Sequence, residues 1–184
     1  MKFTIHAGHN PKGKIACGAS DYIDESTEAR YIVKWVKYYV EKAGIKIYDC
    51  TVNNGTSQND VLNKIISNCA KYICDMNISV HFNACKHSIK DAKTKGVEVH
   101  CYSKDNRLTN KMAEDICKEI AKLGFTNRGV KYSKNLYFLR RFKTKNAMLI
   151  ECCFVDDYDD ATLYKKKKKE VAQAIARVLK KYGK

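Results

Sequence analysis

Two histidines and three glutamates are placed where they could do chemistry. His9 follows the run Phe3-Thr4-Ile5-His6-Ala7-Gly8, and His81 sits in Ser79-Val80-His81-Phe82-Asn83-Ala84. Glu151 ends the apolar run Leu149-Ile150-Glu151, while Glu25 and Glu28 open a stretch with helical spacing. Two imidazoles and one carboxylate are a donor set that suits a catalytic zinc ion and leaves a fourth position for water. Zinc lowers the pKa of such a water, and a second carboxylate can then take its proton. The chain offers that second carboxylate. The residue types alone are equally compatible with histidines hydrogen-bonded at strand ends and with glutamates that complement the positive end of a helix. His6, His87 and His100 read as structural.

The elements that must position these residues alternate. Phe3 to Ala7 reads as a strand. Residues 24–42 read as a helix, with Ile32, Val36, Tyr39 and Val40 at helical spacing and Gly44 as a C-terminal stop. A strand over 46–50 follows. Ser57 then caps a helix carrying Val61, Leu62, Ile65, Ile66, Cys69 and Ile73. Strands are expected at 78–82 and 97–102, a helix at 112–123, a short strand at Leu136 to Leu139 and a buried strand at 147–150. The last helix is expected to start near Lys165, which would make Lys165 to Lys169 its first turn. Five cations there oppose the helix dipole. The fold class is therefore α/β. We expect three α/β/α layers, with a mostly parallel twisted sheet of about six strands covered by helices on both faces. Ligands in such sheets bind at the carboxyl ends of the strands, where His9, His81 and Glu151 fall. With one proline, Pro11, and no Gly/Ser-rich linker, residues 1–184 read as a single domain.

Composition narrows the partners. The chain has 184 residues, with 35 Lys+Arg against 20 Asp+Glu, a net charge of +15. That surplus suits a polyanion: nucleic acid, an anionic membrane or an anionic cell wall. The basic residues are spread along the chain and match no nucleic-acid module, so specific nucleic-acid binding is not expected. No apolar run reaches membrane-spanning length. Met1 to Ala7 carries no signal-like segment, so the chain is expected to stay in the cytoplasm of the producing cell. The nine cysteines are odd in number, irregularly spaced and mostly inside apolar runs, and are expected to be free thiols.

Over nearly its whole length the sequence resembles the zinc-dependent N-acetylmuramoyl-L-alanine amidases, the class called amidase type 3. Within that class it is most similar to catalytic domains of phage endolysins acting on Gram-positive walls. The landmarks are Ala7-Gly8-His9, Asp24-Glu25-Ser26, Ser79-Val80-His81-Phe82-Asn83-Ala84, Asn127-Arg128-Gly129-Val130-Lys131, Asn135-Leu136-Tyr137-Phe138-Leu139-Arg140 and Leu149-Ile150-Glu151-Cys152-Cys153-Phe154-Val155, in that order. The resemblance implies hydrolysis of the amide between N-acetylmuramic acid and L-alanine in peptidoglycan. It implies His9 and His81 as zinc ligands, and Glu151 as the residue that activates water and then protonates the leaving amine. For the zinc carboxylate, the family's glutamate stands a little over five helical turns before the glycine that ends the helix. Glu25 to Gly44 matches that interval, and Glu28 falls one turn short. Asn83, Arg128 and Arg140 become candidates for holding the substrate. Asn10-Pro11 after His9 and Ala29 after the zinc glutamate depart from the family pattern. With no wall-binding domain in view, the basic surface, Lys165 to Lys169 included, is expected to draw the enzyme to anionic wall polymers after release. The competing readings are a nucleic-acid-binding protein, another zinc peptidase and a wall-binding module without catalysis.

Overall fold

Period-two alternation inside apolar runs gives the molecule a sheet with two unlike faces. The computed structural model describes residues 1–85, 95–143 and 146–184. The elements are β1 (Phe3–Ala7), α1 (Glu25–Glu41), β2 (Ile47–Asp49), α2 (Gln58–Ala70), β3 (Met76–Asn83), β4 (Val97–Cys101), α3 (Arg107–Ala121), β5 (Asn127–Tyr132), α4 (Tyr137–Arg141), β6 (Ala147–Phe154) and α5 (Tyr158–Gly183). The strands form one sheet in the order β2-β1-β3-β6-β4-β5. All neighbouring pairs are parallel except β4 and β6, which are antiparallel. The α/β class and the mostly parallel sheet agree with the sequence.

One face of the sheet is apolar throughout. Ile5, Ile78, Val80, Val99, Met148 and Ile150 pack there against Ile32, Val36 and Val40 of α1, Met112, Ile116 and Ile120 of α3, and Val171, Ile175 and Leu179 of α5. The other face holds a smaller core in which Ala147 and Leu149 meet Val61, Ile65 and Cys69 of α2 and Phe138 and Leu139 of α4. The rest of that face is polar: Thr4, His6, Asn77, Ser79, His81, Glu98 and Glu151 alternate with the buried apolar set. The site is built on this second face. No helix among the described residues is long and apolar enough to cross a membrane. All nine cysteines are free, six of them buried.

Several expected boundaries hold for physical reasons. Asp24 and Ser57 cap α1 and α2 by accepting the N–H of Thr27 and Asp60. Gly44 takes φ +77° just past α1, a conformation that a side chain would strain. Three expectations are corrected and one strand is added. Leu136 to Leu139 is not a strand: the Arg140 N–H donates to the Leu136 carbonyl at 2.9 Å, which closes the first turn of α4. Asn127–Tyr132 is a strand, at the sheet edge, where exposure removes the apolar alternation that would announce it. Ile73 lies beyond α2 and is 95% exposed. Finally, α5 begins at Tyr158, capped by Asp157 and with Asp159 and Asp160 in its first turn. Lys165 to Lys169 therefore lie about two turns inside the helix and do not oppose its N-terminal dipole.

Candidate active site

Strand register lines up the central residues. His81 on β3 is the partner of Glu151 on β6, and Glu151 is the partner of Glu98 on β4. Paired residues share a face, so the three side chains form one row across three strands. Just beyond Glu151 the register of β6 against β3 slips, Asn83 pairing with Phe154. This is the kind of irregularity that re-aims side chains beside active sites. His9 stands in the loop after β1, and Glu25 is the first residue of α1.

These elements bring His9, Glu25 and His81 together. Glu25 Oε1 lies 3.0 Å from His81 Nδ1 and 3.3 Å from His9 Nε2. One donor atom from each of the three residues falls within 4.8 Å of the others. The two rings meet edge to face with centroids 4.9 Å apart. The Phe82 N–H donates to Glu25 Oε1 at 3.2 Å and the Ala19 N–H to Oε2 at 2.9 Å, which fixes the carboxylate. Burial pushes the Glu25 carboxyl up, but hydrogen bonds from His81 and His9 outweigh it and hold it well below the usual range. At His81 burial dominates and lowers the pKa, against the opposing pull of Glu25. An ionised carboxylate and an imidazole with a free lone pair are the protonation states that metal ligation requires. The donor set therefore fits a divalent metal such as zinc. Two glycines make room for it. A Cβ on Gly8 would sit 1.8 Å from His81 Cε1, and one on Gly18 would sit 2.4 Å from Glu25 Oε2.

Glu151 is different in kind. Its Oε2 is buried and has no hydrogen-bond partner among the described residues. Burial, then the charges of Glu25 and Glu98, raise its pKa well above the usual carboxyl range, so it tends to keep its proton. It lines a cavity of about 390 Å³, together with His9, His81, Leu62, Tyr137 and Phe138. The arrangement combines an anionic metal-type cluster with a second carboxyl at the same opening, and metal-assisted hydrolysis uses both parts.

The remaining sequence candidates lie elsewhere. Glu28 points away from the histidines: its Oε2 accepts the Tyr164 hydroxyl at 3.0 Å and pairs with Lys168 at 3.5 Å. Asn83 and Arg128 are both engaged by Glu98, which takes Asn83 Nδ2 at 3.0 Å, His100 Nε2 at 3.1 Å and Arg128 Nε at 2.7 Å. The His100 bond, outweighing burial and aided by Arg128, holds the Glu98 carboxyl down at about 2. Arg140 is exposed, its guanidinium 5.6 Å from the Tyr137 ring centroid. His6 is buried edge to face against Phe138, and burial pushes its pKa down to about 3. His87 lies outside the described residues. The two departures from the family pattern are internal. Asn10 is buried and staples its loop to Gly55 through two hydrogen bonds, with the Gly55 N–H and carbonyl, and closes the loop on itself with a third to the Ile15 carbonyl, and Ala29 is buried in the core. Sequence reasoning missed Glu98 and Arg30. Arg30 donates to the carbonyls of His9, Ser26 and Val52 at 2.7–2.9 Å, and so anchors the His9 loop to α1.

Comparison with known proteins agrees with this fold. The N-acetylmuramoyl-L-alanine amidase family, type 3, matches residues 4–181, and the chain belongs to that family. Its fold is similar to the catalytic domain of an endolysin targeting Clostridia Difficile, with a TM-score of 0.84, 26% identity, and 97% and 96% of the two chains covered. It shares the fold of the CwlD amidase from Clostridioides difficile, with a TM-score of 0.77, 21% identity, and 99% and 98% coverage. An uncharacterized protein of Clostridium perfringens is 29% identical over 168 residues, which are 91% of this chain and 48% of that protein. The chain thus spans about half the length of that curated relative.

Proposed function

We propose that the protein is a zinc-dependent hydrolase that cleaves the amide between N-acetylmuramic acid and L-alanine in bacterial peptidoglycan. Family membership supports the bond and the substrate. The observation that carries the mechanism is the convergence of His9, Glu25 and His81 beside an unpartnered, proton-holding Glu151. A zinc ion held by His9, Glu25 and His81 would supply Lewis acidity, polarising the amide carbonyl and making a nearby water more acidic. Glu25 fixes the two imidazoles, and the backbone N–H groups of Ala19 and Phe82 fix Glu25. Glu151 accepts the proton of the attacking water at Oε2, then returns it to the alanine nitrogen as the C–N bond breaks. A bound cation would offset the Glu25 charge and lower the Glu151 pKa toward the ionised form that takes the water proton, while burial and Glu98 favour the acid form that delivers it to nitrogen. Arg128, Asn83 and His100 hold Glu98 in place beside it. The similarity to an endolysin catalytic domain supports an enzyme made in the cytoplasm that acts on the wall after release.

Digestion of purified peptidoglycan with mass analysis of the products tests the bond. Expected are glycan strands with free lactyl carboxyls and peptides with a new N-terminal L-alanine. Peptides still joined to muramic acid, with cuts elsewhere, would refute it. Elemental analysis should find one zinc per chain in the wild type and none in His81→Ala.

A further inference from the structure

A row of cations without ion-pair partners among the described residues lies on the side of the sheet away from the cavity. Helices α1 and α5 run there side by side and in the same direction. Glu28 meets Tyr164 and Lys168, Tyr31 meets Lys168, Trp35 meets Lys169, and Tyr39 meets Gln173. The solvent side of this pair carries a continuous aromatic ladder. Ring centroids are 6.2 Å apart for Tyr31–Trp35, 5.5 Å for Trp35–Tyr38 and 5.9 Å for Trp35–Tyr39.

Ammonium groups sit on these rings. Lys168 Nζ is 4.3 Å from the Tyr31 centroid, Lys34 and Lys169 are 5.9 and 5.8 Å from Trp35, and Lys42 is 6.0 Å from Tyr38. A lysine held over a ring has already lost part of its rotamer freedom, so it loses less on meeting an anion. Some cations nearby are neutralised: Lys37 by Glu41, Lys167 by Glu170 and Lys168 by Glu28. Among the described residues Lys34, Lys42, Lys165, Lys166 and Lys169 pair with no carboxylate. From Tyr31 to Lys42 the helix rises about 16 Å. The charges thus form a row on two rigid helices and do not converge on one point.

We propose that this α1–α5 strip docks a linear anionic polymer of the cell wall, one whose phosphodiester charges repeat along its chain. The proposal rests on the wall-hydrolase reading for the location of its partner. A row of fixed cations matches repeated charges, whereas a single compact anion would need a convergent pocket. The ladder's ring faces are occupied by ammonium groups, which disfavours base stacking and with it single-stranded nucleic acid. The same capping reduces the apolar face offered to a membrane by Tyr31, Trp35 and Tyr38. The strip is on the opposite side of the sheet from the cavity, so docking leaves the catalytic opening free for glycan.

The test is co-sedimentation of the full chain with purified walls, either intact or chemically stripped of their phosphate polymers. Intact walls should bind the wild type, and stripped walls should bind it weakly. Replacing Lys34, Lys42, Lys165, Lys166 and Lys169 by glutamine should weaken binding to intact walls about tenfold or more. Raising salt from about 50 to about 200 mM should weaken wild-type binding by about a hundredfold, as for five phosphates on a flexible polyanion. A control with Lys2, Lys46, Lys71, Lys104 and Lys131 changed to glutamine has the same net charge and should bind nearly as the wild type does. Equal losses in both variants would overturn the strip in favour of diffuse charge, and equal binding to stripped and intact walls would overturn the polymer. Duplex DNA competing as well as soluble wall polymer would reassign the surface to nucleic acid. Cleavage of a small soluble muropeptide should be the same in the wild type and both variants. Its absence from all three would refute the hydrolase reading, while the sedimentation result would still decide whether the polymer binds.

Discussion

Changing Gly8 to alanine adds one methyl group, and its position is determined by the backbone. The new Cβ would lie 1.8 Å from His81 Cε1, 1.9 Å from Nε2 and 2.6 Å from Nδ1. Carbon atoms in contact settle at about 3.5 Å, so the ring has to retreat by about 1.7 Å. It cannot do so and keep Nδ1 at 3.0 Å from Glu25 Oε1. Gly8 is not among the glycines with positive φ, so the methyl acts by contact and not by backbone strain. Misplacing a reacting constellation by about 1 Å costs on the order of a hundredfold in rate, and Gly8→Ala should lose at least that much turnover on purified walls. Its zinc content should fall well below one per chain. Thermal unfolding of the metal-stripped proteins should differ by no more than about 1 kcal/mol, since an added methyl also restricts the unfolded chain. A Gly8→Ala protein with full zinc content and near-normal turnover would refute the packing argument and the role given to His81.

Three more perturbations separate the carboxylates. Glu25→Gln should strip the metal, whereas Glu28→Gln should keep it and lower stability by about 1 kcal/mol through the lost Tyr164 and Lys168 contacts, read by metal analysis and melting. Glu151→Gln should keep fold and metal and lose about 10²–10⁴ in rate. The same variant tests pH linkage. A carboxyl whose folded pKa is raised contributes stability that is complete below its unfolded pKa and is lost as pH rises toward the folded value. In metal-stripped protein, Glu151→Gln should therefore raise the melting temperature more at pH 8 than at pH 4, and an equal shift at both would refute the raised pKa. Arg128→Ala should destabilise by about 1–3 kcal/mol by leaving the buried Glu98 carboxylate short of a partner, without altering zinc content.

What could be read from the sequence follows the length of its signals. The strands of the sheet centre and helices α1 and α2 announce themselves by repeated apolar spacing and by Asp24, Ser57 and Gly44. Leu136 to Leu139 offers four residues, too few to separate a strand from one helical turn, and packing against Val61 and Ile65 decides for the helix. The edge strand Asn127–Tyr132 has no buried face to print an alternation. The start of α5 was legible in Asp157, three residues before Asp160, but the lysine run drew the boundary too far along. His9, Glu25, His81 and Glu151 were all singled out, and the choice of Glu25 over Glu28 followed from the family resemblance. The Glu98 network was hidden, because Val97-Glu98-Val99-His100-Cys101 reads as ordinary alternation and nothing local says that the polar residues point at Glu151. Asn83 and Arg128 stand as substrate-holding candidates from the family resemblance, and both touch Glu98.

The place of β6 in the sheet has a consequence for how the protein is made. It is the last strand to leave the ribosome, yet it lies in the middle, between β3 and β4. Until residues 147–154 arrive, β2-β1-β3 and β4-β5 have no strand to join them, and the sheet cannot close. Such distant pairing is slow to form, because the loop entropy is lost before the contacts are gained. Glu151 travels on this same strand. On the proposed function, the chain acquires Glu151 only in the step that completes the sheet, so a nascent or half-folded chain lacks its proton-transfer group.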